Sequence, residues 1–375
     1  METNERYDYL VVGAGLFGAV FAYLAHRAGK KVLVIEKRAA VGGNIRTERI
    51  EGIDVHLFGP HIFHTDDEKI WDFVNRFSRF NRFTYAPLAN FKGKIYHLPL
   101  SLSTCYEIFG TSNPADAKRQ VERECSVEMQ AKDTSFETHS LRTIGRSLYK
   151  TLIKGYTEKL WNKDATLLSP YVENPSDIEY TFDRPMFQDR FQGIPEDGYS
   201  SIIDKLLNGI RVELNTDYLK DREQWDKSAE KIVYTGPLDA LFNCSLGTLA
   251  YLSLTYKTKV MDGTNFQGTP VMYYTDRAVG YTRAIEHRHF MSHCNSAKTI
   301  VSFEYPKAYR GLSDEPYYPI IDTKNKKIAE RYKALSTSSN IILGGRLGTF
   351  APLSMSETID LAFQTCQREG IRTDL

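Results

Sequence analysis

The sequence has few of the features that mark secreted, membrane or nucleic-acid-binding proteins. Its 375 residues include only five cysteines, which are scattered and form no Cys-x-x-Cys pair, so neither a disulfide framework nor a zinc site is expected. The net charge of +1 at pH 7 provides no excess of positive charge for nucleic acid or an anionic membrane. The apolar run Tyr9–Val12 is too short for a signal peptide or a membrane span. We therefore expect a cytoplasmic protein that binds neither nucleic acid nor metal and does not insert into a membrane.

The N-terminal segment has the pattern of a dinucleotide-binding βαβ unit. Tyr9–Val12 leads directly into Gly13-Ala14-Gly15-Leu16-Phe17-Gly18, apolar residues at helical spacing follow, and a second apolar strand ends at Glu36. Gly13 allows the tight turn, Gly15 lets the backbone approach a pyrophosphate, and Gly18 lets helix and strand pack closely. Glu36 stands where an acid binds the ribose hydroxyls. The alternative, a glycine-rich structural turn, does not account for strand, helix and acid in this order.

The residues after Glu36 favour FAD over NAD. Lys37 and Arg38, followed by the pair Gly42-Gly43 and by Asn44, resemble the fingerprint of the glutathione-reductase-like flavoproteins more than that of nicotinamide dehydrogenases. We therefore expect this unit to hold a tightly bound FAD.

Two histidines follow the next predicted strand. His61 and His64 belong to Gly59-Pro60-His61-Ile62-Phe63-His64-Thr65, and Thr65 with Glu68 is predicted to cap the helix that comes next. This places both histidines at the carboxyl end of a strand, where ligands of open α/β sheets bind. Their spacing would suit a metal site, but no cysteine or carboxylate cluster completes one. The remaining interpretations are a structural loop and contact with the flavin ring, and we favour the second.

The rest of the chain predicts an α/β fold in three parts: a discontinuous FAD-binding Rossmann-like domain, an inserted helical domain and an antiparallel β-sheet domain. Two or three domains also suit the length of the chain. Residues 171–190 form an irregular segment that is long enough to be a mobile functional loop. The strand and glycine turn at 341–348 would place a second helix start beside the flavin. The predicted boundaries are 1–79, 205–245 and 335–375 for the FAD-binding domain, 101–165 for the helical insertion, and 80–100, 166–204 and 246–334 for the sheet and substrate domain.

Along nearly its whole length the chain resembles the bacterial UDP-galactopyranose mutases. The matching segments occur in the family's order: Gly13-Ala14-Gly15-Leu16-Phe17-Gly18, Gly59-Pro60-His61-Ile62-Phe63-His64-Thr65, Lys154-Gly155-Tyr156-Thr157-Glu158-Lys159-Leu160-Trp161, Phe191-Gln192-Gly193-Ile194-Pro195, Tyr281-Thr282-Arg283, Asp314-Glu315-Pro316-Tyr317-Tyr318-Pro319 and Gly344-Gly345-Arg346-Leu347. The resemblance implies the same three-part fold and an isomerase that converts UDP-galactose to the galactofuranose form for surface polysaccharide. It also implies that reduced FAD, through its N5, displaces the nucleotide diphosphate with no net redox change. The oligomeric state of the family implies a homodimer.

The resemblance further implies a set of site residues. Those expected to act in catalysis are Arg283, His61, Trp161 and Tyr318. Those expected to hold the cofactor are Gly13, Gly15, Phe17, Gly18, Glu36, Lys37, Gly43, Asn44, His61, Gly345 and Arg346. Those expected to bind the substrate are Asn81, Tyr156, Thr157, Trp161, Phe191, Arg283 and Tyr318. In this scheme Arg283 holds the diphosphate, Tyr318 bonds to a phosphate and Phe191 stacks on uracil.

Each of these roles has a structural alternative. Trp161 and Phe191 would equally suit a hydrophobic core, Arg283 a surface ion pair, and Tyr318 a strand.

The chain departs from the family at several contact positions. The family's mobile-loop arginine falls on Glu179, and a basic residue of the sheet falls on Leu252. A tyrosine, an aspartate and an asparagine fall on Pro352, Ser354 and Tyr273. A carboxylate about 4 Å from a phosphate is repelled by roughly 4 kcal/mol at an effective dielectric near 20, so Glu179 cannot replace an arginine.

Three interpretations therefore stay open. In the first, the protein is a pyranose–furanose mutase whose loop uses another cation, Arg184 or Arg190. Its substrate could then carry a different sugar or nucleotide. In the second, the flavin half is kept and the substrate half acts on another sugar derivative, including by oxidation. In the third, the protein binds flavin without turnover.

Overall fold

The described residues form a parallel sheet, a larger mixed sheet and a group of helices. The structure is a computed structural model that describes residues 6–128, 134–170, 178–182, 184–311, 314–336 and 339–373. The strands are β1 Tyr7–Val12, β2 Val32–Ile35, β3 Thr47–Ile50, β4 Ile53–His56, β5 Phe63–Thr65, β6 Leu88–Phe91, β7 Lys94–His97, β8 Phe191–Gly193, β9 Arg211–Glu213, β10 Ala229–Tyr234, β11 Tyr251–Asp262, β12 Val271–Tyr274, β13 Arg283–Glu286, β14 Lys298–Ala308, β15 Tyr318–Pro319 and β16 Ile341–Leu343. The α-helices are α1 Leu16–Arg27, α2 Glu68–Asn75, α3 Leu102–Phe109, α4 Pro114–Glu128, α5 Phe136–Leu148, α6 Lys154–Trp161, α7 Gly198–Leu206, α8 Arg222–Asp226, α9 Leu238–Leu241, α10 Thr323–Ser336, α11 Gly345–Gly348 and α12 Met355–Arg368.

The parallel sheet confirms the Rossmann-like part of the predicted fold. Its strand order is β16-β10-β1-β2-β9, so segments from distant parts of the sequence are neighbours in it. Leu10 and Val11 of the central strand β1 are fully buried, because both faces of this sheet are covered. All of these strands run in one direction, and their carboxyl ends therefore meet at one edge with the glycine turns that follow β1 and β16.

The larger sheet is mixed, with the order β15-β11-β14-β13-β12-β6-β7. We expected it to be antiparallel, and most of its pairs are, but β6 runs parallel to β12. Two strands can run in parallel only if a long connection joins them. Here the chain between β6 and β12 includes the whole helical region, which is long enough. The turn residues Lys92-Gly93, which stand between two strand-like segments of the sequence, predict a hairpin, and this hairpin is present as β6 and β7.

A helical region connects β7 to the rest of the chain. Helices α3 to α6 pack around a core that includes Phe136, Ile144 and Leu148. A π-helix at Tyr149–Ile153 joins α5 to α6. Among the described residues, no helix is both long and apolar enough to cross a membrane.

Two details of the sequence-based analysis were wrong. The cap of α2 is Asp67, whose carboxylate accepts hydrogen bonds from the backbone of Lys69 and Ile70, whereas Thr65 lies on β5. The predicted boundary between residues 204 and 205 falls inside α7, whose Ile203 is buried in the same core as α1. The other domain boundaries stay a prediction.

Candidate active site

The glycine loop after β1 leaves room for a ligand at only one of its three glycines. A Cβ atom on Gly13 would lie 2.1 Å from Oγ1 of Thr235, and one on Gly18 would lie 2.1 Å from the carbonyl oxygen of Gly13. These two glycines are therefore required by packing within the protein. A Cβ on Gly15 would meet nothing nearer than Cα of Gly43, at 3.9 Å. The space above Gly15, at the start of α1, fits the pyrophosphate of a dinucleotide.

The acid at the end of β2 is held beside this loop. Oε2 of Glu36 accepts a hydrogen bond from the backbone N–H of Ala14 at 2.8 Å, and Oε1 accepts one from that of Arg38 at 2.9 Å. A carboxylate has about four acceptor sites, so Glu36 can still accept bonds from ribose hydroxyls. Lys37, expected to bind the cofactor, instead pairs with Glu315 at 2.9 Å, because Glu315 lies between Lys37 and Arg38.

The structure brings His61, Asn44 and Arg346 together at the same edge. Burial, together with the positive charges of Arg346 and Arg283, lowers the pKa of His61 to about 4, although a hydrogen bond to the backbone of Asn44 opposes the shift. Nε2 of His61 is buried without a hydrogen-bond partner. Since buried polar atoms are nearly always paired, an unpaired nitrogen here fits a cofactor that supplies the partner.

Arg346 and Phe17, both expected to bind the cofactor, are held in place by contacts with other residues of the chain. The guanidinium of Arg346 donates to the carbonyl oxygen of Leu353 at 2.7 Å, and it lies 4.4 Å from the ring centroid of Tyr318. Phe17 is buried against the turn after β16, since a Cβ on Gly344 would lie 2.0 Å from its ring and one on Gly345 would be 3.4 Å from its Cβ. Phe17 thereby holds the glycine turns after β1 and β16 together.

A row of four side chains crosses the larger sheet. Tyr273, Arg283, Glu304 and Tyr256 are paired in register on the adjacent strands β12, β13, β14 and β11, so their side chains lie on one face. This face meets the loop before His61, because a Cβ on Gly59 would lie 2.8 Å from the hydroxyl of Tyr256 and 3.7 Å from Nη2 of Arg283. The row therefore faces the edge of the parallel sheet that carries the predicted cofactor site.

Arg283 forms a buried ion pair with Glu304. Nε of Arg283 donates to Oε1 of Glu304 at 2.8 Å, and Nη2 donates to Oε2. Glu304 also accepts hydrogen bonds from the hydroxyls of Thr282 at 2.8 Å and Tyr256 at 2.9 Å. Burial opposes the charge on both partners, but the pairing lowers the pKa of Glu304 and raises that of Arg283. Glu304 was not predicted from the sequence, although an acid directly after the run Thr299–Phe303 was a signal.

Aromatic residues surround the guanidinium of Arg283. Its Cζ lies 5.7 Å from the ring centroid of Tyr273, whose ring is 5.4 Å from that of Tyr156, and the hydroxyls of Tyr273 and Tyr85 are 3.3 Å apart. Tyr273 therefore belongs to the site, although it stands where the resemblance places an asparagine. Helix α6 carries Tyr156, the buried Thr157 and, at its last position, the half-buried Trp161.

Two predicted substrate residues are engaged by other groups. The carboxamide of Asn81 accepts from the backbone N–H of Ile194 and Phe83, at 2.9 and 3.1 Å, and donates to the carbonyl oxygen of Phe290 at 2.9 Å. Asn81 therefore joins loops instead of presenting free polar atoms. Phe191 stacks on Trp71, with 5.2 Å between ring centroids, so a nucleobase would have to approach its other face.

A cation also lies over the ring of Phe191. The guanidinium carbon of Arg190 lies 4.6 Å from the Phe191 ring centroid. Arg190 also forms an exposed ion pair with Glu68 at 3.4 Å. The arginine would have to move for Phe191 to stack on uracil.

The residues at which the chain differs from the family make contacts within the protein. Oε1 of Glu179 accepts from the amide of Gln188 at 2.6 Å, and Oε2 lies 3.4 Å from Nε of Arg184. Nη1 of Arg184 donates to the carbonyl oxygen of Leu100 at 2.9 Å. Leu252 pairs with Tyr318 between β11 and β15, and Ser354 caps α12. Residues 171–177 and 183 of the predicted mobile loop lie outside the described residues. Within the described part of the chain, no group of three or more His, Cys, Asp or Glu side chains could hold a metal ion.

The chain is similar to several known proteins. The UDP-galactopyranose mutase family profile matches residues 151–351, and a profile of NAD(P)-binding Rossmann-like domains matches residues 11–77. A probable UDP-galactopyranose mutase of Klebsiella pneumoniae is 33% identical over 96% of this chain and 93% of its own length. A dTDP-fucopyranose mutase of Escherichia coli is 32% identical over 96% of this chain and 97% of its own length. A crystal structure of reduced UDP-galactopyranose mutase superposes with a TM-score of 0.77 at 14% identity, covering 100% of this chain and 95% of that one, which supports the fold.

Proposed function

Because this chain belongs to the UDP-galactopyranose mutase family, we propose that it is a flavin-dependent enzyme that interconverts the pyranose and furanose forms of a nucleotide sugar. One observation supports this most strongly. The largely buried Arg283 lies near His61 and Arg346, at the sheet edge where Gly15 leaves room for a dinucleotide. A cation so placed can serve a cofactor and a diphosphate at once.

The cofactor of this proposal is FAD, active in its reduced form. The fit rests on the open space at Gly15, the acid Glu36 and the unpaired Nε2 of His61. Gly43 and Asn44 would lie along the cofactor. When bound, reduced FAD would supply the nucleophile that takes the anomeric carbon of the sugar.

The protein's own part is to hold the leaving group and to shape the pocket. Glu304 occupies Nε and one Nη2–H of Arg283, which leaves the other guanidinium donors for diphosphate oxygens. Tyr318, above Arg346, would donate to a phosphate. Tyr156, Trp161 and Tyr273 would pack against the sugar and exclude water, which strengthens the charged contacts.

The nucleotide sugar is proposed in two forms. UDP-galactose is the first, since UDP-galactopyranose mutases are among the relatives. A dTDP-fucose-like substrate is the second, because the dTDP-fucopyranose mutase is almost equally similar to this chain. The replacements at Leu252 and Tyr273, both next to Tyr318 or Arg283, favour a substrate that differs from UDP-galactose. A cytoplasmic homodimer that makes precursors for surface polysaccharide completes the proposal.

Binding experiments test this proposal in two steps. The purified protein should retain flavin, visible in its absorbance, and the reduced protein should bind UDP or dTDP. Arg283→Lys, which keeps the charge but loses the planar fork, should weaken nucleotide binding without releasing flavin. A protein that takes up no added FAD, or that binds neither nucleotide when reduced, would contradict it.

A further inference from the structure

Lys159 of α6 is bound entirely by backbone carbonyl groups. Its Nζ donates to the carbonyl oxygens of Tyr274 at 2.6 Å, Val279 at 3.0 Å and Tyr281 at 2.8 Å. An ammonium group has three N–H donors, so all three are used. Burial lowers the pKa of Lys159 to about 8, and the charge of Asp276 opposes that shift. A half-buried cation whose three donors are all bound by carbonyl groups has lost part of its hydration, which is costly to the fold and calls for a functional explanation.

The three carbonyl groups lie at one connection. Residues 275–282 link β12 to β13, and Lys159 binds Tyr274, the last residue of β12, together with Val279 and Tyr281 near the other end of the connection. An exposed lysine would not need such a cage, since water satisfies its donors. The geometry therefore ties one helix to both ends of one loop.

Other contacts bring α6 and its approach close to the same connection. A Cβ on Gly155 would lie 2.2 Å from the carbonyl oxygen of Thr275, so only glycine allows this approach. Oγ1 of Thr275 donates to the carbonyl oxygen of Thr151 at 2.7 Å, in the π-helix before α6. Arg277 pairs with Glu158 at 2.9 Å. Lys159 is the contact among these that spans the connection from end to end.

The two elements joined by Lys159 carry the two halves of the proposed substrate site. Helix α6 carries Tyr156 and Trp161, whereas β12 and β13 carry Tyr273 and Arg283. The Tyr156 ring is 5.4 Å from that of Tyr273, and Arg283 is 5.7 Å from the same ring. A small shift of α6 relative to the connection would therefore change the spacing of all four side chains.

We propose that Lys159 is a positioning residue that fixes α6 to the β12–β13 connection and so sets the distance between the aromatic wall of the sugar pocket and Arg283. This inference rests on the proposed function. It requires no contact between Lys159 and the substrate. Since misplacement of reacting groups by about 1 Å can cost about a hundredfold in rate, loss of this contact acts mainly on turnover.

The test compares Lys159→Met, which keeps most of the apolar stem, with Lys163→Met, a control at an exposed lysine just beyond the same helix. For Lys159→Met we expect at least a tenfold fall in kcat, a smaller change in KM, unchanged flavin content, and faster hydrogen exchange in residues 154–161 and 274–282. Lys159→Arg, which restores donors and charge, should recover part of kcat. Lys163→Met should match the wild type in every readout.

Three results would overturn the inference: wild-type kcat in Lys159→Met, a loss that only follows the loss of folded protein, or unchanged hydrogen exchange in both segments. If Lys159→Met does not fold, Lys159→Gln, which keeps two donors, replaces it. The same measurements are made, and the same results would support or overturn the inference. Failure of the proposed function is distinguishable, because the wild type would then show no turnover. Hydrogen exchange in residues 154–161 and 274–282 would still decide whether Lys159 joins the two elements.

Discussion

At the scale of single residues, the pair Arg283–Glu304 is proposed to serve both stability and function. Removing one partner of a buried ion pair leaves an uncompensated charge, which typically costs about 3–5 kcal/mol. We expect Arg283→Ala to lose stability of that order and also to lose turnover, because the diphosphate loses its cation. Urea unfolding measures the first effect and steady-state kinetics the second.

A double variant separates the two effects. Arg283→Ala combined with Glu304→Gln removes the stranded charge, so it should recover much of the stability and none of the activity. Wild-type stability of Arg283→Ala would contradict the buried pair. Restored turnover in the double variant would remove Arg283 from the chemistry.

The buried histidines predict how stability changes with pH. Burial lowers the pKa of His61 to about 4 and that of His287 to about 3, and it holds the pKa of His56 well below its usual range. An unfolded chain protonates these histidines below about pH 6.5, while the folded protein does not. Stability is therefore expected to fall as the pH drops from about 6.5 towards 4, by up to about 1.4 kcal/mol per pH unit for each histidine.

Urea unfolding of the flavin-saturated protein at pH 7, 6 and 5 checks this expectation. His287→Gln should reduce the dependence of the free energy of unfolding on pH by about the contribution of one histidine. His26→Gln, at an exposed position, should leave that dependence unchanged. A free energy of unfolding that does not change between pH 7 and 5 would contradict the neutral, buried state of these imidazoles.

At the scale of elements, the glycine loop separates folding from cofactor binding. Gly15 has φ −78°, which alanine also adopts, and the protein leaves space at its Cβ. Gly15→Ala should therefore fold normally and bind FAD much more weakly, because the methyl group would occupy the pyrophosphate space. Gly18→Ala should instead destabilise the fold, because its Cβ would lie 2.1 Å from the carbonyl oxygen of Gly13.

Flavin absorbance after gel filtration and thermal unfolding measure the two outcomes. If Gly15→Ala retained FAD as firmly as the wild type, the pyrophosphate would not lie at this loop. If Gly18→Ala unfolded at the wild-type temperature, the packing argument would be wrong.

Local sequence patterns were enough to predict the elements that lie close together in the chain. The βαβ unit through Glu36 and the hairpin at Lys92-Gly93 both formed, because periodicity and turn glycines act over short distances. The row Tyr273–Arg283–Glu304–Tyr256 could not be predicted. It depends on how four strands are paired in register, and local sequence patterns do not determine that register. Asn81 was assigned to the substrate, but its amide joins loops that are far apart in sequence.

At the scale of the whole molecule, the site depends on two sheets that face each other. The parallel sheet contributes the glycine turns at one edge, and the mixed sheet contributes the Arg283 row on one face, with Gly59 between them. Helix α6 forms a further wall, tied to the mixed sheet through Lys159. The residues proposed to bind cofactor and substrate therefore come from the parallel sheet, the mixed sheet and α6.

The central claim is that this assembly converts a nucleotide sugar between its pyranose and furanose forms with reduced flavin. The most direct measurement incubates the flavin-loaded protein, with and without dithionite, with UDP-galactopyranose and separately with dTDP-fucopyranose, and separates the products by chromatography. We predict a furanose product from at least one of these substrates, formed only when the flavin is reduced. Absence of product from both with reduced flavin, or equal turnover with oxidised flavin, would contradict the account.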